Sequence, residues 1–313
     1  MAVQGQDPRG FRLAVRARTT GLSAADVDRA LTEERSLLVT WLNRGTLHLV
    51  RSEDYPWLRA LTPPPLFTTA ATRLAQEGVS PDAADRAIAV VERSLAKDGP
   101  LTRAQLGDRI EAMGIRTEGQ ALVQILFLAS LRGLIVRGPM AGRDHAFVLV
   151  RDWLGPHSPV DHDTALAELA RRYLAGHGPA GDRDLAKWAG LPLRDARAAL
   201  NAIASRLQER PDGLVDLARR PPAEALPPPK LLGQFDPLLL GWAAREQILG
   251  TAEKVVVGNG MFRAFALVRG RGAAVWKLSG GKVALEPFGR ITRKDAAVLE
   301  DEAADVVRFL ARA

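Results

Sequence analysis

The chain has 313 residues, of which 47% are hydrophobic and 25% are charged. This balance is typical of a folded globular protein and excludes a disordered chain. Cysteine is absent, which excludes disulfides, thiolate nucleophiles and cysteine-ligated metal centres. The net charge of +7 comes mostly from arginine and suits a nucleic-acid partner, although the residue usage of a GC-rich genome would also produce it.

No apolar run approaches the roughly 18 residues that a membrane span requires. The opening residues, MAVQGQDPRG, lack the apolar core of a secretory signal. We therefore expect a cytoplasmic protein that makes no contact with a membrane.

Residues 1–79 are interpreted as an incomplete winged-helix domain. Ser23 caps a short helix, and residues 36–50 read as two strands around an Asn-Arg-Gly turn. No helix is predicted before Ser23, so the unit lacks its first helix and the chain is expected to begin within a domain. On this interpretation Gln4 and Gln6 lie at a fraying terminus.

Residues 80–158 give the clearest pattern. Apolar residues at helical spacing predict three helices, which are separated by Gly-Pro or glycine breaks. LIVRGPMAGRDHAFVLV then predicts a hairpin. The order helix, helix, helix, hairpin is that of a winged helix, in which a helix-turn-helix carries a β wing.

The same plan recurs, less clearly, over residues 159–220, and a proline-rich linker comes after it. Residues 230–313 then change to short runs of β-forming residues with glycine turns, which suggest a small antiparallel sheet or barrel, and the chain closes on a helix. The predicted fold class is therefore α+β and predominantly helical, with tandem winged-helix domains followed by a small C-terminal antiparallel β-barrel.

Tandem winged helices favour binding to double-stranded DNA, with the third helix of a unit in the major groove and the wing on the backbone. In the second unit the candidate DNA contacts on the third helix and its flanks are Arg116, Gln120, Gln124 and Arg132, and those on the wing are Arg137 and Arg143. Many winged helices instead bind proteins or only pack together, and that alternative stays open.

The hairpin of the first unit places Trp41, Arg44, Thr46 and His48 close together. Strand alternation puts Thr46 and His48 on one face, where they are candidates for contact with a DNA strand. The histidines lack metal-ligand spacing, and no phosphate-binding glycine loop or nucleophile elbow occurs. We predict no metal and no cofactor.

Five stretches occur in a recognisable order: VQGQDPRGFRLAVRART, LNRGTLHLVRSEDYPWLRAL, LAGHGPAGDRDLAKWAGLPLRDARAAL, LLGQFDPLLLGWAAR and GNGMFRAFALVRGRGAAVWKL. This series resembles the AlkZ/YcaQ-like family of winged-helix DNA glycosylases over essentially the whole chain. The resemblance implies removal of alkylated purines, including the unhooking of interstrand crosslinks, by monofunctional hydrolysis of the N-glycosidic bond.

The family's functional Gln-x-Gln motif falls on Gln4 and Gln6, which the resemblance makes the catalytic residues. Its middle residue is usually aliphatic or alanine, whereas Gly5 stands here, and the family's helix before the motif is absent from this sequence. The adjacent Asp7 is a candidate auxiliary. The arginines after the motif are candidate phosphate contacts: Arg9, Arg12, Arg16 and Arg18.

The sequence therefore predicts a DNA glycosylase that associates with the nucleoid through DNA and needs no obligate protein partner. Two alternatives remain: a non-catalytic winged-helix DNA-binding protein, such as a transcriptional regulator, and a protein-interaction scaffold.

Overall fold

The structure is a computed structural model that describes residues 2–142, 144–221 and 225–311. About half of these residues are helical and about a fifth lie in strands. The α+β, predominantly helical class predicted from the sequence is therefore confirmed at this coarse level. No described helix is both long and apolar enough to cross a lipid bilayer.

The N-terminal part of the chain forms these elements: β1 (Val3–Gln4), α1 (Pro8–Arg16), α2 (Ala24–Thr32), β2 (Leu37–Leu42), β3 (Thr46–Arg51), α3 (Tyr55–Ala60) and α4 (Pro65–Gln76). Helix α1 is not predicted by the sequence pattern. The Asp7 side chain caps it by accepting a hydrogen bond from the Gly10 amide at 2.9 Å, and Pro8 occupies its first position. Asp7 is thereby occupied as a helix cap.

The middle of the chain contains two helical segments, each followed by a hairpin. The first comprises α5 (Pro81–Asp98), α6 (Arg103–Glu111), α7 (Ala121–Leu131), β4 (Ile135–Ala141), β5 (Asp144–Leu149) and α8 (Val150–Leu154). The second, called here the third helical unit, comprises α9 (His162–His177), α10 (Asp182–Ala189), α11 (Leu193–Ala202), β6 (Leu207–Glu209) and β7 (Val215–Leu217).

The C-terminal part comprises β8 (Lys230–Leu232), α12 (Pro237–Leu240), α13 (Glu246–Leu249), α14 (Glu253–Val256), β9 (Val257–Gly258), β10 (Met261–Phe262), β11 (Phe265–Val268), β12 (Arg271–Ser279), β13 (Lys282–Pro287) and α15 (Arg293–Leu310). Strands β13, β12, β11 and β8 form an open antiparallel sheet in that order.

The predicted closed barrel is therefore wrong, because β13 and β8 are the two edges of this sheet among the described residues. Helix α15 packs against the sheet: Leu299, Val306 and Phe309 share a core with Ala274 and Trp276. On the other face of the sheet Phe265 and Val275 pack in a separate core with Leu239 of α12 and Leu249 of α13. The open sheet is therefore covered on both faces.

A second sheet has the strand order β1-β3-β2-β4-β5. It joins the β2–β3 hairpin of the N-terminal part to the β4–β5 hairpin of the first helical segment. The link is the antiparallel pairing of Val39 on β2 with Arg137 on β4. The division into four domains stays a prediction, with the ranges 1–79, 80–158, 159–220 and 230–313. The first two ranges are hydrogen-bonded into one sheet.

The two faces of this sheet bury different partners because side chains alternate along each strand. Leu38, Leu42 and Val50 pack in one core with the third helical unit. Val39 and Leu49 pack on the opposite face, with α1 and the C-terminal sheet and helix. The third helical unit therefore covers the sheet face on which Gln4 of β1 lies.

Arg16 connects α1 to the C-terminal part. Its side chain is 2% exposed, lies 2.9 Å from Glu302 and 2.7 Å from Asp305, and donates to the Leu231 carbonyl at 2.8 Å. Burial raises the pKa of Glu302, but Lys230 and Arg16 outweigh burial and hold that pKa below its ordinary value. Arg16 is thus a structural ion-pair partner, which corrects its prediction as a phosphate contact.

Arg16→Met should lower the free energy of unfolding by about 3 kcal/mol, because it removes one of the two cations that face the buried Glu302 and the guanidinium donor of the Leu231 carbonyl. Denaturant titration measures the loss. The control is Arg308→Met, which removes the other arginine of Asp305 at a site where the side chain is 55% exposed, and it should cost less than about 1 kcal/mol. Equal losses in the two variants would contradict the structural role.

Candidate functional site

Gln4 and Gln6 are called here the glutamine pair, and strand pairing holds the backbone of Gln4 and Gly5 against β3. Gln4 lies directly opposite His48 in the antiparallel pairing of β1 with β3, and the Gly5 amide donates to the Leu47 carbonyl at 2.6 Å. Gln4 is 7% exposed, whereas Gln6 is exposed. The expectation of a fraying terminus is therefore wrong, because β1 is an integral strand of the sheet.

The glycine between them allows β1 to approach closely. A Cβ at position 5 would lie 3.2 Å from the Leu49 nitrogen and 3.3 Å from the His48 carbonyl carbon. Both are backbone atoms of β3, which cannot move away as a flexible side chain can. Gly5 thus fits this sheet edge, where a larger residue would push the strand outward.

The hydrogen bonds of the glutamine pair fix the orientation of both amides. Arg44 donates to Gln4 Oε1 at 3.0 Å, and Gln4 Nε2 donates to Gln6 Oε1 at 2.6 Å. A guanidinium can only donate, so the oxygen of Gln4 must face Arg44. Each amide oxygen has two lone pairs, which leaves one acceptor position on each for another donor.

His48 lies on the same sheet face and is buried. Its Nδ1 lies 2.9 Å from the Thr46 carbonyl, which only accepts, so Nδ1 carries the proton and Nε2 is an acceptor. Burial, with the nearby Arg44 charge, lowers the pKa of His48 to about 3. The imidazole is therefore neutral at physiological pH.

Two buried polar atoms flank the turn at the end of this hairpin. Asn43 Nδ2 and Thr46 Oγ1 have no hydrogen-bond partner within the described part of the chain.

Two other arginines after the motif also have internal partners. Arg12 pairs with Asp28 and donates to the Pro8 carbonyl at 2.7 Å, with its side chain 9% exposed. Burial therefore corrects its prediction as a phosphate contact. Arg18 makes two bonds, at 3.0 and 2.8 Å, to the fully buried Asp236, yet 44% of its side chain remains exposed. Its role as a phosphate contact stays a prediction.

Trp41 is a core residue rather than a DNA contact. It is 8% exposed, its ring packs against Phe127 and Phe147, and the Arg137 guanidinium lies 4.7 Å from its centroid. Burial lowers the pKa of Arg137 to about 10. This stack corrects the prediction for Trp41 and leaves only part of Arg137 at the surface.

The remaining predicted contacts lie at the surface. Arg9, Arg116 and Gln120 are exposed, and Gln124 is half-buried on α7. Arg143 lies outside the described residues. Their roles in DNA binding stay predictions.

The structure adds residues that sequence reasoning missed. Arg44 also donates to the carbonyl of Trp188 on α10. Burial lowers the pKa of Arg44, and the nearby charge of Arg245 lowers it further. Trp188 and Arg245 lie within stretches that carry the family resemblance. Nothing in their spacing indicates that either comes close to Arg44, which precedes Trp188 by 144 residues and Arg245 by more. No group of three or more His, Asp or Glu suited to a metal occurs within residues 2–142, 144–221 and 225–311.

The chain belongs to the AlkZ-like DNA glycosylase family, whose family model matches residues 1–309. It is 25% identical over 335 aligned positions to an interstrand DNA cross-link repair glycosylase of Streptomyces sahachiroi, a match that covers 98% of this chain and 87% of that relative. The solved structure of the S. sahachiroi DNA glycosylase AlkZ shares the fold. Its TM-score is 0.77 at 24% identity, over 99% of this chain and 89% of that one.

The neutral state of His48 has a measurable consequence for stability. The ordinary pKa of histidine is 6.5, whereas the pKa of folded His48 is about 3. Between these two pH values His48 is protonated in the unfolded chain and neutral in the folded protein. Stability is therefore full above pH 6.5 and falls with decreasing pH, by about 1.4 kcal/mol per pH unit from this residue. Unfolding titrations between pH 7 and 4.5 should show a shallower loss for His48→Asn than for the wild type.

The matched control is His157→Asn, since His157 is exposed. It should keep the wild-type dependence on pH. An equally steep dependence in His48→Asn would contradict a buried, neutral His48.

Proposed function

We propose that this protein is a monofunctional DNA glycosylase that hydrolyses the N-glycosidic bond of alkylated purines, with water positioned by Gln4 and Gln6. The observation that supports this most directly is the fixed amide orientation of the glutamine pair, which leaves an acceptor position on each oxygen. Family membership supports the reaction class. The name of the S. sahachiroi relative supports interstrand crosslinks as one substrate.

The chemistry needs little from the protein beyond positioning. An N7-alkylated purine carries a positive charge, so the C1′–N9 bond breaks with its electron pair moving to the base, which leaves neutral. A water oxygen then bonds to the oxocarbenium-like C1′ and releases a proton to solvent. Two amide oxygens that accept both hydrogens of one water would direct its lone pair toward C1′, which is positional rather than general-base catalysis.

The positive charge beside the pair belongs to Arg44, whose terminal nitrogens donate to protein oxygens. Neutral His48 adds no further positive charge that would repel an alkylated base. Thr46 is half-buried and stays the candidate contact to the DNA strand on this face, whereas His48 is buried. Exposed residues such as Arg9 and Arg116 would hold phosphates of double-stranded DNA and make binding depend on salt.

Gln4→Ala and Gln6→Ala should each slow excision about 100-fold, because a mispositioned nucleophile loses most of its effective concentration. DNA affinity should change little. The assay is single-turnover formation of abasic sites in duplex DNA that carries one N7-alkylguanine, together with gel shifts on the same duplex.

The control is Gln208→Ala, an exposed glutamine on β6, which should excise at the wild-type rate. No abasic product from the wild-type protein would overturn the proposed activity. Tight binding to one undamaged sequence without excision would instead favour a regulator.

A further inference from the structure

The contacts of Arg44 set it apart from the arginines predicted to bind phosphates. It lies in the turn between β2 and β3, and its two terminal nitrogens have different partners: one donates to the Trp188 carbonyl and the other to Gln4 Oε1. We propose that Arg44 is a positioning residue that locks the amide orientation of Gln4 and holds the glutamine pair in register with the third helical unit. This inference rests on the proposed function of the pair.

The amide orientation of Gln4 is fixed by which atoms around it can donate a hydrogen bond and which can only accept one. A glutamine amide can occupy its place in two orientations that differ by exchange of nitrogen and oxygen. With Arg44 present, only the orientation that gives the guanidinium an oxygen is favourable. The reverse orientation would also bring Gln4 Oε1 against Gln6 Oε1, where 2.6 Å now separates a donor from an acceptor. One guanidinium thus fixes both amides.

The third helical unit in turn fixes Arg44. Trp188 belongs to the last turn of α10, where the final carbonyls of a helix lack intrahelical partners, and Arg44 supplies a donor to one of them. Gly190 lies just beyond with φ +68°, and a Cβ there would lie 2.8 Å from Arg44 Cγ and 3.0 Å from its Cα. The end of α10 is therefore shaped to the backbone and stem of Arg44.

The alternative role for Arg44 is direct binding of a DNA phosphate by its guanidinium. A phosphate contact leaves the guanidinium free, whereas here it is half-buried and both terminal nitrogens donate to protein oxygens. A positioning residue acts only through Gln4. Its removal should therefore matter when Gln4 is present and cease to matter when Gln4 is absent.

The first test is a double-mutant cycle on excision rate with Arg44→Met, Gln4→Ala and the double variant. Arg44→Met should slow single-turnover excision about 10-fold in the wild-type background and less than about 2-fold in Gln4→Ala. The salt dependence of DNA affinity should stay unchanged. Additive losses, with a salt slope lower by about 1, would assign Arg44 to a phosphate and overturn the inference.

The second test is independent of activity and decides the inference even if no excision is found. In ¹⁵N–¹H spectra, the side-chain amide signals of Gln4 and Gln6 are assigned from their loss in the two alanine variants. Arg44→Met should shift both signals. Arg44→Lys, whose single ammonium cannot reproduce two diverging donors, should shift them part of the way and recover part of the rate.

The control is Arg194→Met, which removes an equal charge from the third helical unit where the side chain is 84% exposed. It should leave both amide signals in place. Unmoved signals in a folded Arg44→Met protein would overturn the inference, and absence of excision by the wild type would overturn only the proposed function.

Discussion

The pairing of β1 with β3 is the interaction on which the rest of the site depends. It puts Gln4 opposite His48, brings Gly5 against the backbone of β3, and turns the glutamine pair toward the third helical unit. A two-residue strand makes few hydrogen bonds of its own. The next helix along the chain secures its place, because α1 begins at an Asp7 cap and the buried Arg16 ties that helix to α15.

Part of this arrangement could be predicted from sequence and part could not. Local signals sufficed for the Asn43–Gly45 turn and for the shared face of Thr46 and His48, because turn chemistry and strand alternation are properties of neighbouring residues. The ion-pair partners of the arginines could not be predicted. Arg16 finds its carboxylates 286 and 289 positions later, and no spacing rule distinguishes such an arginine from one that binds phosphate.

The site has a consistent electrostatic design. The two groups proposed to position the nucleophile are amides, burial keeps the histidine neutral, and the half-buried cation beside them, Arg44, donates to protein oxygens. A substrate whose leaving group is already cationic needs no acid to protonate it, and it is best served by oriented neutral dipoles. The same fold with an exposed carboxylate or imidazolium at this position would suit different chemistry.

The most direct test of this account is a crystal structure of the protein with duplex DNA that carries a cationic azasugar, a mimic of the oxocarbenium ion, at the lesion position. The account predicts an ordered water within hydrogen-bond distance of both Gln4 Oε1 and Gln6 Oε1, in line with the ring atom that replaces C1′. It also predicts that Arg44 keeps its contacts with Gln4 and Trp188. An azasugar bound away from the glutamine pair, or one whose nearest water is held by other residues, would contradict it.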